Sequence, residues 1–158
     1  MKMTNELVRN AVTENDREII NWRVMHAPRE VVFEAWRNPE QLASWWGPNG
    51  FTNTFQTFEF EQGGQWEFVM HGPDGTDYKN KSEFTVIEAP ERVVFKHLNG
   101  PHFQMTAIFE EVDANNTKLT WRMLFDTAKE FEMVKSYAVE GNEQNFDRLQ
   151  ALLLEQRG

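Results

Sequence analysis

TAKEFEMVKSYAVEGNEQNFDRLQALLLEQ, residues 127–156, is the stretch on which the fold turns. Thr127 and Glu130 have capping-box spacing, Thr127 as N-cap and Glu130 at N3. No proline follows, so a helix to Gln156 would be roughly 43 Å long at 1.5 Å per residue. A compact chain of this size has a radius of gyration of roughly 15 Å. The helix therefore spans the whole molecule, and a curved sheet must wrap around it. Steps of 100° along the helix gather Phe131, Val134, Ala138, Leu149, Leu152 and Leu153 into an apolar stripe. Its middle holds Asn142 and Asn145 with Gly141 alongside, small or polar residues where bulk is expected. One reading makes this gap the wall of a cavity, with Asn142 and Asn145 as polar anchors for a ligand. In the other, an aromatic such as Trp121 packs on Gly141 and the asparagines meet backbone.

Upstream of the helix, short alternating segments separated by turn residues predict strands. Trp66, Phe68 and Met70 alternate with polar neighbours, and Val93, Phe95 and His97 share a face. Phe103, Met105, Ala107 and Phe109 form another such set, as do Leu119, Trp121, Met123 and Phe125. Gly63-Gly64, Pro73-Asp74-Gly75, Ala89-Pro90-Glu91, Asn99-Gly100 and Asp113 to Asn116 supply the turns. Connections this short require antiparallel pairing. A first strand from Arg17 to His26 alternates Ile20, Trp22 and Val24 with Asn21 and Arg23. Two short helices follow it. The first opens at Pro28 and carries Val31, Val32, Ala35 and Trp36; the second is capped by Asn38, starts on Pro39 and runs through Trp45-Trp46 to Gly47-Pro48. The expected class is α+β: a curved antiparallel sheet around a long C-terminal helix, with two short helices after the first strand. Met1 to Asn15 is polar and unpatterned and reads as a flexible leader, leaving 16–158 as one domain.

Composition narrows the function. With 16 Lys+Arg against 25 Asp+Glu, the formal charge is −9 and no basic cluster exists, which argues against nucleic acid as a partner. The absence of cysteine excludes disulfides, thiolate metal sites and a cysteine nucleophile. No apolar run approaches a membrane span and no secretory signal is visible, so a cytoplasmic protein without membrane insertion is expected. Aromatic residues reach 13%, including 13 Phe and 6 Trp, which implies either a large core or a roomy aromatic-lined hollow.

The search for chemistry finds no catalytic constellation. His26, His71, His97 and His102 lack metal-ligand spacing. Ser44 and Ser82 have no neighbouring His and acid. No motif implies a cofactor. His97 continues the Val93-Phe95 face and should point inward, either as a core histidine or as a hydrogen-bond or proton-transfer group for a ligand. His102 falls on the opposite alternation to Phe103, outward or at the rim. Tyr78 stands either at a cavity mouth or in water. Of the tryptophan pair, Trp46 is expected to close the cavity and Trp45 to pack nearer the surface; alternatively both anchor the short helix.

Ala27-Pro28, Asn38-Pro39, Trp45-Trp46-Gly47-Pro48, and Glu140-Gly141 ahead of Phe146-Asp147-Arg148-Leu149 form a recognisable set. From about Arg17 onward, the chain resembles the heat-shock-protein-90 ATPase activator-like family of the START/birch-pollen-allergen-like (SRPBCC) superfamily. That resemblance implies a helix-grip fold around a hydrophobic cavity. Relatives commonly carry tryptophan after the late-helix glycine; Asn142 here implies a larger or more polar cavity. The namesake activity belongs to proteins with a separate chaperone-binding domain, which Met1 to Asn15 is too short to supply. The resemblance also admits aromatase/cyclase-like enzymes acting on polyketide-type substrates, for which His97 and Tyr78 would be the acid–base pair. The leading expectation is a binder of a small hydrophobic or aromatic molecule. Trp46, Phe68, Met70, Phe103 and Trp121 would form the walls, and Tyr78, His97, Asn142 and Asn145 the polar contacts. A chaperone stands second among partners.

Overall fold

The computed structural model describes residues 17–157, so the leader read at Met1 to Asn15 lies outside the described residues. Seven strands form one antiparallel sheet: β1 (Glu18–Met25), β2 (Thr52–Phe58), β3 (Gln65–His71), β4 (Asp77–Glu88), β5 (Arg92–His97), β6 (Phe103–Asp113) and β7 (Asn116–Phe125). Their order is β1-β7-β6-β5-β4-β3-β2, so β1 and β2 occupy opposite edges. The two short helices between them, α1 (Arg29–Arg37) and α2 (Pro39–Trp45), therefore carry the chain from one edge to the other. The long helix α3 (Ala128–Arg157) has 30 residues, about 45 Å at the standard rise. Register shifts in β2, β4 and β6 mark bulges, each of which adds bend and twist. The result is the sheet curved about its last helix that the turn spacing and helix length predict.

Local chemistry sets the boundaries. Thr127 caps α3, its Oγ1 accepting from the Glu130 amide at 3.1 Å and donating to Glu130 Oε1. The other Glu130 oxygen receives the His102 amide and lies 2.8 Å from His102 Nδ1, tying the β5–β6 turn to the helix start. Asn38 caps α2 by accepting from the amides of Glu40 and Gln41, with Pro39 at its first turn. Pro28 sits one place earlier than expected, at the N-cap of α1.

Two sequence readings change at β1 and α3. The apolar set Ile20, Trp22 and Val24 is not the buried face of β1; Ile19, Asn21 and Met25 are fully buried instead. The cause is a polar pairing. Asn21 Nδ2 donates to Glu143 Oε2 at 2.9 Å, and Arg23 donates to Glu143 and Asp147 on α3. On α3 the stripe gains Glu143 and Phe146, which are buried along with Phe131, Val134, Ala138, Asn145, Leu149 and Leu153, whereas Leu152 is only half-buried. The Phe146 ring centre lies 4.7 Å from that of Trp121 on the sheet, and the Arg23 guanidinium sits 5.6 Å from the Phe146 ring centre. Arg23 feels burial opposing its charge, but its bonds to Asp147 and Glu143 outweigh this and raise its pKa.

Candidate functional site: a hollow between the sheet and the last helix

α3 packs against β1 and β7 and against the two short helices. It thus sits toward one end of the sheet, and the inner face of β3 to β6 looks across a gap. A cavity of about 710 Å³ fills that gap, within the usual range for small-molecule sites. Alternation places its walls. From β3 come Trp66, Phe68 and Met70; from β5 and β6 come Phe95, Phe103 and Met105; from β7 come Trp121 and Met123. The helix side is built from Val134, Tyr137, Ala138, Gly141, Asn142 and Asn145. Large rings on the sheet therefore oppose mostly small side chains on the helix, the exposed Tyr137 excepted.

The tryptophan pair behaves differently from expectation. Trp46 borders the cavity, but Trp45 is not nearer the surface: it is 1% exposed, with Nε1 donating to Ala35 O at 3.0 Å. Trp45 docks α2 on α1, and both rings contact Trp36 edge-on. After them the chain turns through Gly47, whose φ of +103° is a left-handed conformation suited to glycine. A Cβ there would come within 2.8 Å of Met70 Cε. This turn is gripped from α3. Arg148 donates to the carbonyls of Ser44, Trp46, Gly47, Pro48 and Phe51, and its burial lowers its pKa. The Trp-Trp-Gly-Pro element and the late-helix arginine are thus one device: the guanidinium donates to turn carbonyls that lie outside the helix and sheet ladders.

All nine residues singled out in the sequence, Trp46, Phe68, Met70, Tyr78, His97, Phe103, Trp121, Asn142 and Asn145, border the cavity. Their polar groups are not equally free. Asn145 meets backbone, donating to Trp45 O at 2.7 Å and accepting from the Gly47 amide at 3.1 Å. Asn142 Nδ2 donates to Asn21 Oδ1 at 3.0 Å. Gly141 faces Pro48, not Trp121: a Cβ would lie 3.5 Å from Pro48 Cγ. His97 is buried, stacks on Phe103 at 4.8 Å, and has its two ring nitrogens 2.7 Å from Pro101 O and Asn80 Oδ1. Burial pushes its pKa below the ordinary value, against the pull of the Pro101 carbonyl. Tyr78 is 46% exposed at the mouth, near Asp77 and Lys79. His102 does not border the cavity; its exposed ring is bonded to Glu130.

Trp66, Asn80 and Ser82 also border the cavity and were not singled out. The signal was present: Asn80 and Ser82 share the alternation of Phe84, and Trp66 that of Phe68. Elsewhere, Thr54 Oγ1, His71 and Asp77 form a hydroxyl–imidazole–carboxylate chain with distances of 2.7 and 2.8 Å. Thr54 and His71 lie on the alternation opposite to the cavity-facing residues and do not border the hollow. Among the described residues no group of three or more His, Asp or Glu is placed to hold a metal ion, and no helix is long and apolar enough to cross a membrane.

A curved antiparallel sheet holding a long C-terminal helix across an aromatic-walled hollow defines a helix-grip domain. The chain belongs to the Activator of Hsp90 ATPase homolog 1-like family, whose model matches residues 26–154. Solved structures agree in fold. A protein from Arthrobacter aurescens is 27% identical with a TM-score of 0.85, covering 94% of this chain and 92% of its own. One from Nitrosomonas europaea is 17% identical with a TM-score of 0.83, covering 92% and 99%. The AHSA1 protein of Silicibacter pomeroyi is 23% identical with a TM-score of 0.72, covering 88% and 99%. No curated protein matches the chain.

Proposed function

We propose that the protein binds a small hydrophobic or aromatic molecule in the hollow between sheet and α3. The observation that carries this reading is the cavity of about 710 Å³ itself, with tryptophan and phenylalanine walls facing a helix surface whose middle is alanine, glycine and asparagine. Burial of apolar ligand surface at about 25 cal/mol per Å² would drive binding. Trp46, Phe68, Met70, Phe103 and Trp121 would contact the body of the ligand. Asn142, whose Oδ1 is not engaged by Asn21, would be its helix-side polar contact, with Tyr78 at the entrance.

A second reading, acid–base chemistry from His97 and Tyr78, draws on both side chains sharing this cavity. Binding is favoured over it because both His97 nitrogens already have protein partners. The family's name keeps a chaperone as an additional partner.

A panel of neutral aromatic and aliphatic compounds, titrated while recording tryptophan emission and the thermal midpoint, tests the proposal. A true ligand at a hundred times its Kd adds about 2.7 kcal/mol of stability. Ala138→Leu, which fills the cavity from the helix side, should abolish both responses while the protein stays folded. If no compound in the panel moves either observable, the binding function is wrong.

A further inference from the structure

Inside the exposed Asp77, Tyr78, Lys79 and Tyr137, two sets of polar groups stand on the cavity wall. Asn145, Asn80 and His97 are engaged with backbone or with each other, and Asn142 is tied to Asn21. The second set is buried and without a protein partner: the hydroxyl of Ser82 and the indole N–H groups of Trp66 and Trp121. Ser82 is 1% exposed, Trp66 0% and Trp121 1%, and all three border the cavity. Buried donors left unpaired are destabilising, and native proteins hold few of them. Two of the three are neighbours. Trp66 and Ser82 are directly opposed in the β3–β4 ladder, so their side chains stand together on the inner face, within about 5 Å at Cβ.

Indole N–H only donates, so what completes this corner is an acceptor. The charge pattern specifies it further. The acidic and basic residues bordering the cavity are Asp77 and Lys79, opposite in sign and exposed at the mouth, and His97, which pairs with Ser82 across the β4–β5 ladder but has both ring nitrogens already on Pro101 O and Asn80 Oδ1. A carboxylate carried to Ser82 would be buried without a counter-ion, at a cost that a neutral carbonyl escapes. Resting on the binding function proposed above, we infer that the occupant is an apolar molecule bearing a neutral carbonyl, as in a ketone, ester or quinone. Ser82 Oγ–H and Trp66 Nε1–H hold the carbonyl oxygen, and the body of the molecule lies toward Trp46 and Trp121.

Three probes of matched shape decide it by calorimetry: 2-acetylnaphthalene, the hydrocarbon 2-isopropylnaphthalene, and 2-naphthoate. Ser82→Ala should weaken the ketone about 5- to 10-fold, the loss expected for one hydrogen bond, and leave the hydrocarbon within about 2-fold. Trp66→Phe keeps a ring while removing the N–H and should read the same selective loss. The carboxylate should bind more weakly than the ketone. Because the Ser82 hydroxyl has no protein partner, Ser82→Ala without ligand should melt no lower than the parent; a lower midpoint would make the hydroxyl structural and overturn the assignment. Equal effects of Ser82→Ala on ketone and hydrocarbon, or tighter binding of 2-naphthoate, would overturn the carbonyl site and leave the cavity as an apolar binder. Failure of all three probes to bind the parent protein would overturn the binding function itself.

Discussion

Gly141 shows how a single residue can be read correctly as unusual and still be misplaced. A mid-helix glycine costs about 1 kcal/mol relative to alanine, so the sequence suggests something pressing against it. The structure shows Pro48 at ordinary contact distance from where a Cβ would stand, so a methyl group fits. Gly141→Ala should raise stability by about 0.5–1 kcal/mol, read as a higher urea midpoint with unchanged slope. A lower midpoint would show that the Pro48 turn requires the missing atom. Asn145 differs: its amide satisfies Trp45 O and the Gly47 amide, a task invisible in the sequence because the partner is backbone about a hundred residues away. The same holds for Arg148, recognisable as a motif residue yet not as the anchor of five carbonyls. Ser82 was legible in principle, since it shares the alternation of Phe84, but a small polar residue gives no sign of being inward without its neighbours.

At the level of elements, the pairing of β1 with α3 is where hydrophobic alternation misleads. Alternation finds the strand from Ile20, Trp22 and Val24, but the buried face carries Asn21, and Arg23 reaches the helix. Period-two patterning identifies a strand; which face turns inward depends on whether polar residues find partners there. Glu143 supplies them, bonded to Asn21 and Arg23 and 5% exposed. Glu143→Ala removes one partner of a largely buried pair and leaves Asn21 and Arg23 facing an apolar gap. We expect a loss of about 3 kcal/mol, measured by chemical denaturation. A loss under about 1 kcal/mol would mean that Asp147, which also binds Arg23, carries the junction alone. Helix ends were the most legible elements, because the Thr127–Glu130 and Asn38–Pro39 signals act within one turn.

Across the whole molecule, stability should depend on pH through His97. Burial holds the folded ring's pKa below its ordinary value, so the folded state prefers the neutral ring. As pH falls through the unfolded value near 6.5, the unfolded chain takes up the proton first and stability declines, by at most about 1.4 kcal/mol per pH unit for one proton. The contribution is complete above that value and is lost as pH falls toward the folded ring's lower pKa. Thermal midpoints recorded from about pH 8 to pH 5 should drop more steeply in the parent than in His97→Gln. Parallel profiles would remove His97 as the cause. Glu130, its pKa lowered by the His102 amide, acts in a separate and more acidic window. The architecture itself was the most legible feature of all, since a helix this long leaves a sheet few alternatives to wrapping it. The size of the hollow was not legible, because it depends on how far toward β1 the helix sits.

The wall of the hollow also has an optical consequence. Five of the six tryptophans, Trp36, Trp45, Trp46, Trp66 and Trp121, form one unbroken set with neighbouring ring centres 5.2–6.3 Å apart. Chromophores this close share their excited states and pass excitation among themselves before emitting. Their circular dichroism should therefore show exciton bands overlaid on the signature of the backbone. Whatever enters the hollow perturbs the array as a unit, while Trp22, set apart under the ammonium of Lys118, serves as an internal reference.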